Sequence, residues 1–204
     1  MTERATTTAS LRERTKAAMR DEVAAVAIKL FAEHGFDAVT TTQIAAVAGI
    51  SPRSFFRYFP TKEDLVLGGL QDAGHRVQAA LRSRPSREGP WTALRHALRV
   101  LMDEPVYPPQ HLQTITRIIL ETPSIRARDM QKHQQWEELL APEIARRMSN
   151  PDRAGLSDSD ARARALIGAA LSCLRVATDT WLRSGGTADP IAILDELIDT
   201  VRTA

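Results

Sequence analysis

The chain has 204 residues, 43% of them apolar and 25% charged, with 27 basic against 25 acidic side chains and a net charge of +2. That is enough chain for one large domain or two small ones, and the near balance of charge excludes a wholesale polycation, so any contact with nucleic acid must come from a local patch. Aromatics at 5% disfavour a sheet-rich fold, and the single cysteine, Cys173, excludes an intrachain disulfide and fits a reducing compartment. No uninterrupted apolar run approaches the roughly 20 residues that span a bilayer, and the opening stretch has no apolar core of a secretory signal. A soluble cytoplasmic protein with no membrane partner is expected.

Residues 1–15 are Thr/Ala/Ser/Arg-rich without periodicity and read as a mobile basic arm. Val23, Val26, Ala27, Leu30 and Phe31 then fall on one helical face, stopped by His34-Gly35. Thr40 and Gln43 have capping-box spacing and open a short helix with Ile44, Ala45, Val47 and Ala48, ended by Gly49. Ser51-Pro52 opens a third helix carrying Phe55, Phe56 and Phe59, because Ser is a strong N-cap and Pro suits the first helical position. Thr61 is expected to begin a fourth, with Val66, Leu70, Ala73, Val77 and Leu81 on its apolar face and three glycines, Gly68, Gly69 and Gly74, inside it.

A fifth helix carries Trp91, Leu94, Leu98 and Leu101, and Pro105, Pro108 and Pro109 form the next loop. The sixth carries Leu112, Ile115, Ile118 and Ile119, and the seventh Trp136, Leu140, Ile144 and Met148, with Pro142 as a kink. A loop is expected from Asn150 to Ser159. The eighth helix, about 158–184, has two apolar stripes, Leu166/Ala170/Cys173/Ala177/Trp181 and Ile167/Leu171/Leu174/Leu182, which implies burial on two sides. The ninth has the seam Ile191, Leu194, Ile198, Val201. The expectation is an all-α chain of about nine helices with no internal repeat.

Residues 40–62 carry the clearest chemistry. Two short helices joined by Ala48-Gly49-Ile50-Ser51 make a helix-turn-helix, whose second helix would enter a major groove. From Ser51 to Lys62 there are three basic residues and no acidic one, and Arg12, Arg14 and Lys16 lie in the arm region. The expected DNA-binding residues are Thr42, Gln43, Pro52, Arg53, Ser54, Arg57, Tyr58 and Lys62. Arg53 suits a guanine edge, while Thr42, Tyr58 and Lys62 suit phosphates. An ordinary helical hairpin with a solvated basic face has the same spacing.

The stretch Phe31–Leu65 resembles the N-terminal helix-turn-helix of the tetracycline-repressor (TetR) family of bacterial regulators. The matching pieces are Gly35-Phe36, Thr40, Ile44-Ala45, Ala48-Gly49-Ile50-Ser51, Arg57-Tyr58-Phe59 and Lys62-Glu63. Two positions depart from the family: Phe56 stands where Tyr is usual and is expected to serve packing alone, and Arg53 stands where a small residue is common. The resemblance implies a helix-turn-helix domain over 16–62 and a ligand-binding and dimerisation domain over 63–204. It further implies a homodimer on a palindromic operator, most simply a repressor released by a small molecule. The paired stripes independently suit such a dimer through Leu166, Ala170, Cys173, Ala177, Ile191, Leu194, Ile198 and Val201; both stripes lying in one chain's core is the alternative.

Glu121–Arg128, Trp136-Glu137 and Trp181-Leu182 are similar to the C-terminal domain of TetR members that sense acyl-CoA-like ligands, including the mycofactocin-system repressor type. The ligand implied is a small hydrophobic or amphipathic effector such as an acyl-CoA, with Trp91, Leu98, Ile115, Ile119, Trp136 and Leu174 as candidate walls. His133 and Glu137 share a helix face, but two ligands do not make a metal site, and no cofactor is implied. No nucleophile elbow, phosphate loop or zinc-protease motif is present, so an enzyme is not expected. A helical small-molecule carrier without a DNA role is the alternative function.

Overall fold

The computed structural model describes residues 11–103, 105, 109–148 and 159–203. Among these are nine α-helices and no strand: α1 (Leu11–His34), α2 (Thr41–Val47), α3 (Pro52–Tyr58), α4 (Asp64–Ser83), α5 (Pro90–Asp103), α6 (Pro109–Glu121), α7 (Pro123–Met148), α8 (Ser159–Arg183) and α9 (Pro190–Thr203). Internal contacts divide the chain into one unit ending at Val66 and another beginning at Leu67. Residues 1–10 of the expected arm, Pro108, and 150–158 of the expected loop lie outside the described residues, whereas 11–15 belong to α1.

In the first unit the helices stop and start where local chemistry dictates. Gly35 takes φ +83° and its N–H reaches Phe31 O at 2.9 Å, which closes α1. Thr40 and Gln43 form a complete capping box: Gln43 N donates to Thr40 Oγ1 at 3.2 Å, and Thr40 N donates to Gln43 Oε1 at 2.8 Å. Gly49, at φ +66°, turns the chain after α2, and Ser51 accepts from Ser54 N at 3.1 Å to start α3 with Pro52 in its first turn. Val23, Ala27, Phe31, Phe36, Ile44, Ala45, Phe55 and Phe59 form the buried interior.

One expectation is corrected here. The fourth helix begins at Asp64, not Thr61, because Thr61 is its cap: Thr61 N and Oγ1 donate to Asp64 Oδ2 at 2.9 and 2.8 Å.

In the second unit α8 packs between α7 and α9, and its buried residues come from both predicted stripes, Leu166, Ala170, Cys173 and Ala177 from one and Ile167 with Leu171 from the other, while Trp181, Leu174 and Leu182 are half-buried. By length and composition α8 would pass for a membrane span, and a third of that window is buried, within the hydrophobic core of the bundle. Trp136 of α7 lies against α4 at Gly74, where an added Cβ would come within 2.5 Å of the indole Nε1. The glycine therefore permits close helix approach. Polar clips complete the packing. Arg95 and Arg99 of α5 both bond the Asp195 carboxylate of α9. Arg147 of α7, its side chain 1% exposed, donates to Leu81 O, Arg84 O and Pro85 O at 3.0, 3.0 and 2.8 Å. These carbonyls lie at the C-terminal end of α4; Leu81 O and Pro85 O also accept from Arg84 N and Glu88 N at 3.2 and 3.0 Å, so Arg147 gives them a second donor and supplies Arg84 O.

Candidate nucleic-acid interface and ligand cavity

On α3, Pro52, Arg53, Phe56 and Arg57 are exposed, while Ser54 and Tyr58 are half-buried. The inner side of this helix is fixed by Phe55, which is fully buried and stacks at 5.7 Å on Phe59. Arg57 lies 5.0 Å from the Tyr58 ring centre and donates to its hydroxyl at 3.3 Å, so the two project as a pair. Thr42 on α2 is exposed, and Gln43 spends its carboxamide oxygen on the capping box. Phe56 is 51% exposed, which corrects its expected packing role: it meets the edge of Phe55 at 5.4 Å and leaves the rest of its ring on the surface.

Lys62 is placed differently from its expectation as a free phosphate contact at a helix terminus. Its ammonium donates to Phe36 O at 2.8 Å and Val39 O at 3.0 Å and lies 4.2 Å from the Phe36 ring centre. It braces the turn between α1 and α2. Sequence spacing carried no signal of this contact, because the partners lie 26 and 23 residues away.

The second unit contains a cavity of about 290 Å³. Four predicted wall residues, Ile115, Ile119, Trp136 and Leu174, line it. The other two do not: Leu98 is fully buried in the bundle core, and Trp91 packs against that core. Sequence reasoning missed Leu70, Leu101, Met102, Leu112 and Trp181 among the apolar walls, and Thr116, Asp129, Lys132, His133, Arg175 and Thr178 among the polar ones. Asp129, Lys132 and His133 sit at helical spacing on α7, the only available hint that they share a face. Burial pushes the His133 imidazole below its usual range, and the neighbouring Lys132 charge adds to this against the opposing pull of Asp129. Arg95 is committed to Asp195 and Asp199 and does not line the cavity.

The predicted dimer residues divide in two. Leu166, Ala170, Cys173, Ala177, Leu194 and Ile198 are already buried within the single chain. Ile191 is half-buried and Val201 is 44% exposed. Burial also raises the Cys173 thiol above its usual range, as for an inert packed side chain.

Residues 24–68 match the family described as bacterial regulatory proteins, tetR family, and residues 88–204 match the MftR C-terminal domain. The HTH-type transcriptional regulator TcmR of Streptomyces glaucescens is 28% identical over 202 residues, covering 94% of this chain and 86% of that protein. The protein of Mycobacterium tuberculosis (strain ATCC 25618 / H37Rv) named as the mycofactocin biosynthesis transcriptional regulator MftR is 33% identical over 158 residues, covering 78% of this chain and 77% of its own. In fold, the chain is similar to the crystal structure of the Thermus thermophilus TetR-family repressor FadR in complex with lauroyl-CoA. The TM-score is 0.54 and the identity 23%, over 88% of this chain and 91% of that one.

Proposed function

The chain belongs to the TetR family of bacterial transcriptional regulators, with an MftR-type C-terminal domain, and from that premise we propose that it is a repressor that binds a palindromic operator as a homodimer and is released by a small amphipathic effector. The carrying observation is the surface of α3: two exposed arginines and an exposed phenylalanine on a helix whose other side is locked into the core. In this reading Arg53 pairs with a base edge, Arg57 and Tyr58 contact phosphates with Thr42, and Phe56 meets a thymine methyl. Pro52 and Ser54 set the entry of α3, and Lys62 and Gln43 hold the geometry. The protein acts in the cytoplasm, without catalysis, wherever its operator lies.

The effector occupies the cavity in the second unit. An acyl-CoA-like molecule is one candidate, by analogy with the lauroyl-CoA of the Thermus FadR structure. Release requires that the effector bind one conformation more tightly than the other, since equal affinity shifts nothing. Dimerisation uses the outward sides of α8 and α9, where Ala165, Ser172 and Val201 are exposed, and not the stripes already spent on the core.

The test is selection of bound fragments from a random duplex library by the purified full-length protein. Enrichment of an inverted repeat, bound with a steep salt dependence, is expected. Enrichment of nothing, by a protein from which mass spectrometry extracts no bound molecule, would overturn the DNA-binding reading and favour a carrier.

A further inference from the structure

We propose that the cavity selects an apolar molecule whose buried end is uncharged and carries a hydrogen-bond donor beside an acceptor, as in a primary amide or a hydroxyketone, and that Asp129 and Lys132 read that end. The proposal rests on the cavity being the effector site and names the chemistry it takes.

Two buried charged residues form part of an otherwise largely apolar wall. Asp129 is 8% exposed and Lys132 9%. They pair at 2.6 Å, from Lys132 Nζ to Asp129 Oδ1, on the same helix. A buried ion pair of this kind adds little to stability, because desolvating both charges offsets their attraction. It is therefore a poor choice for packing alone.

The hydrogen-bonding capacity of the pair is only partly used. An ammonium has three N–H donors and a carboxylate two acceptor oxygens. Among the described residues, Lys132 donates to Asp129 alone and lies 5.0 Å from the Trp136 ring centre. Asp129 Oδ2 is 3.9 Å from His133 Nε2, beyond hydrogen-bond distance. The cavity is thus bordered by an oxygen that accepts nothing and is not sealed off, and by an ammonium with donors to spare, both able to bond what enters. An amide answers both: its N–H meets Asp129 and its carbonyl meets Lys132.

The same pair disfavours charged ends. A carboxylate near Lys132 also stands near Asp129, and an ammonium meets the reverse conflict. His133, held toward its neutral form by burial and by Lys132, does not tip the balance. Arg175 of α8 also lines the cavity and acts on His133 in the same sense as Lys132, but its side chain is exposed, so water screens it more than the buried pair.

The test titrates the full-length protein at pH 7.5 with decanamide, decanoate and decylamine, which share their apolar chain and differ only at the end. Trp136 and Trp181 line the cavity, so intrinsic fluorescence reports occupancy without DNA. Decanamide is expected to bind at least ten-fold more tightly than either ion. An Asp129→Asn/Lys132→Met variant, neutral at both positions, is expected to lose that preference. Decanoate or decylamine binding as tightly as decanamide would overturn the proposal and leave the cavity standing as an effector site. So would a folded double variant that keeps the wild-type ranking. If none of the three binds, both the proposal and the effector reading fall. The wild-type ranking decides the matter even where the double variant does not fold.

Discussion

Lys62 is fastened to Phe36 twice: its ammonium donates to the Phe36 carbonyl at 2.8 Å and stands 4.2 Å from the centre of the same residue's ring. A side chain held this way works on the fold before it works on DNA. Lys62→Met should therefore lower thermal stability, by about 1–3 kcal/mol for the carbonyls left without a donor. Arg57→Ala, at an exposed position, should stay within about 0.5 kcal/mol of wild type while reducing the slope of log affinity against log salt by about 0.9. The comparison needs thermal melts and a salt titration of operator binding. If Lys62→Met melts like wild type and flattens the salt slope as Arg57→Ala does, Lys62 is a phosphate contact after all.

Phe56 offers a direct chemical test of groove reading. With half its surface exposed on α3, its ring suits the 5-methyl group of thymine. Replacing single thymines in the selected half-site by uracil removes one methyl and leaves every hydrogen-bonding group in place. At one position the substitution should weaken binding about four-fold, as for roughly 0.8 kcal/mol of apolar contact. In Phe56→Ala the thymine and uracil duplexes should bind alike. A methyl effect that survives in Phe56→Ala belongs to another side chain.

Gly74→Ala sets two effects against each other. Alanine favours the helix by about 1 kcal/mol. Its methyl would also come within 2.5 to 3.0 Å of three indole atoms of Trp136, which is itself buried. Overpacking should win, with a net loss of about 1–2 kcal/mol, a shift of several degrees in melting temperature and a changed tryptophan emission. A stabilised Gly74→Ala protein would show that the α4–α7 approach is looser than described.

The clip between α5 and α9 predicts an acid-sensitive step. Burial pushes the Asp195 carboxyl up, but hydrogen bonds and charge from Arg95 and Arg99 outweigh it and hold the group below its usual range. A carboxyl depressed in the folded state contributes stability above its unfolded value, near about 3.9, and loses that contribution as pH falls through the folded value. Asp195→Asn should therefore melt earlier at pH 7, and its melting temperature should decline less steeply than that of wild type below about pH 4. Parallel declines for the two proteins would remove Asp195 from the acid response.

The parts of this fold that were legible are those specified within a few residues. Thr40 with Gln43, Ser51 with Pro52, and the glycines at 35 and 49 mark helix ends because caps and left-handed turns are local chemistry. Thr61 was misjudged by three positions for a related reason: a threonine ahead of acidic residues reads equally as a first helical residue or as the cap before one. Contacts across many residues were hidden. Nothing near Lys62 points to carbonyls more than twenty positions upstream. Apolar periodicity shows that Leu166 and Ile198 are covered without showing which chain covers them. It likewise cannot separate Leu98, deep in the core, from Ile119, on a cavity wall. Asp129 and Lys132 were overlooked because charges on a helix usually mark its wet side.

Arg147 has a consequence for the order in which the chain matures. The three carbonyls it satisfies belong to residues 81, 84 and 85, more than sixty positions earlier. A chain emerging from the ribosome makes α4 long before α7, so until Arg147 leaves the exit tunnel and docks, the end of α4 is expected to hold only by its own turn bonds, Arg84 N to Leu81 O and Glu88 N to Pro85 O. The finished end of an early helix is thus tightened by a late residue. A nascent chain halted before residue 147 should expose that end to protease, and one halted well beyond it should protect it.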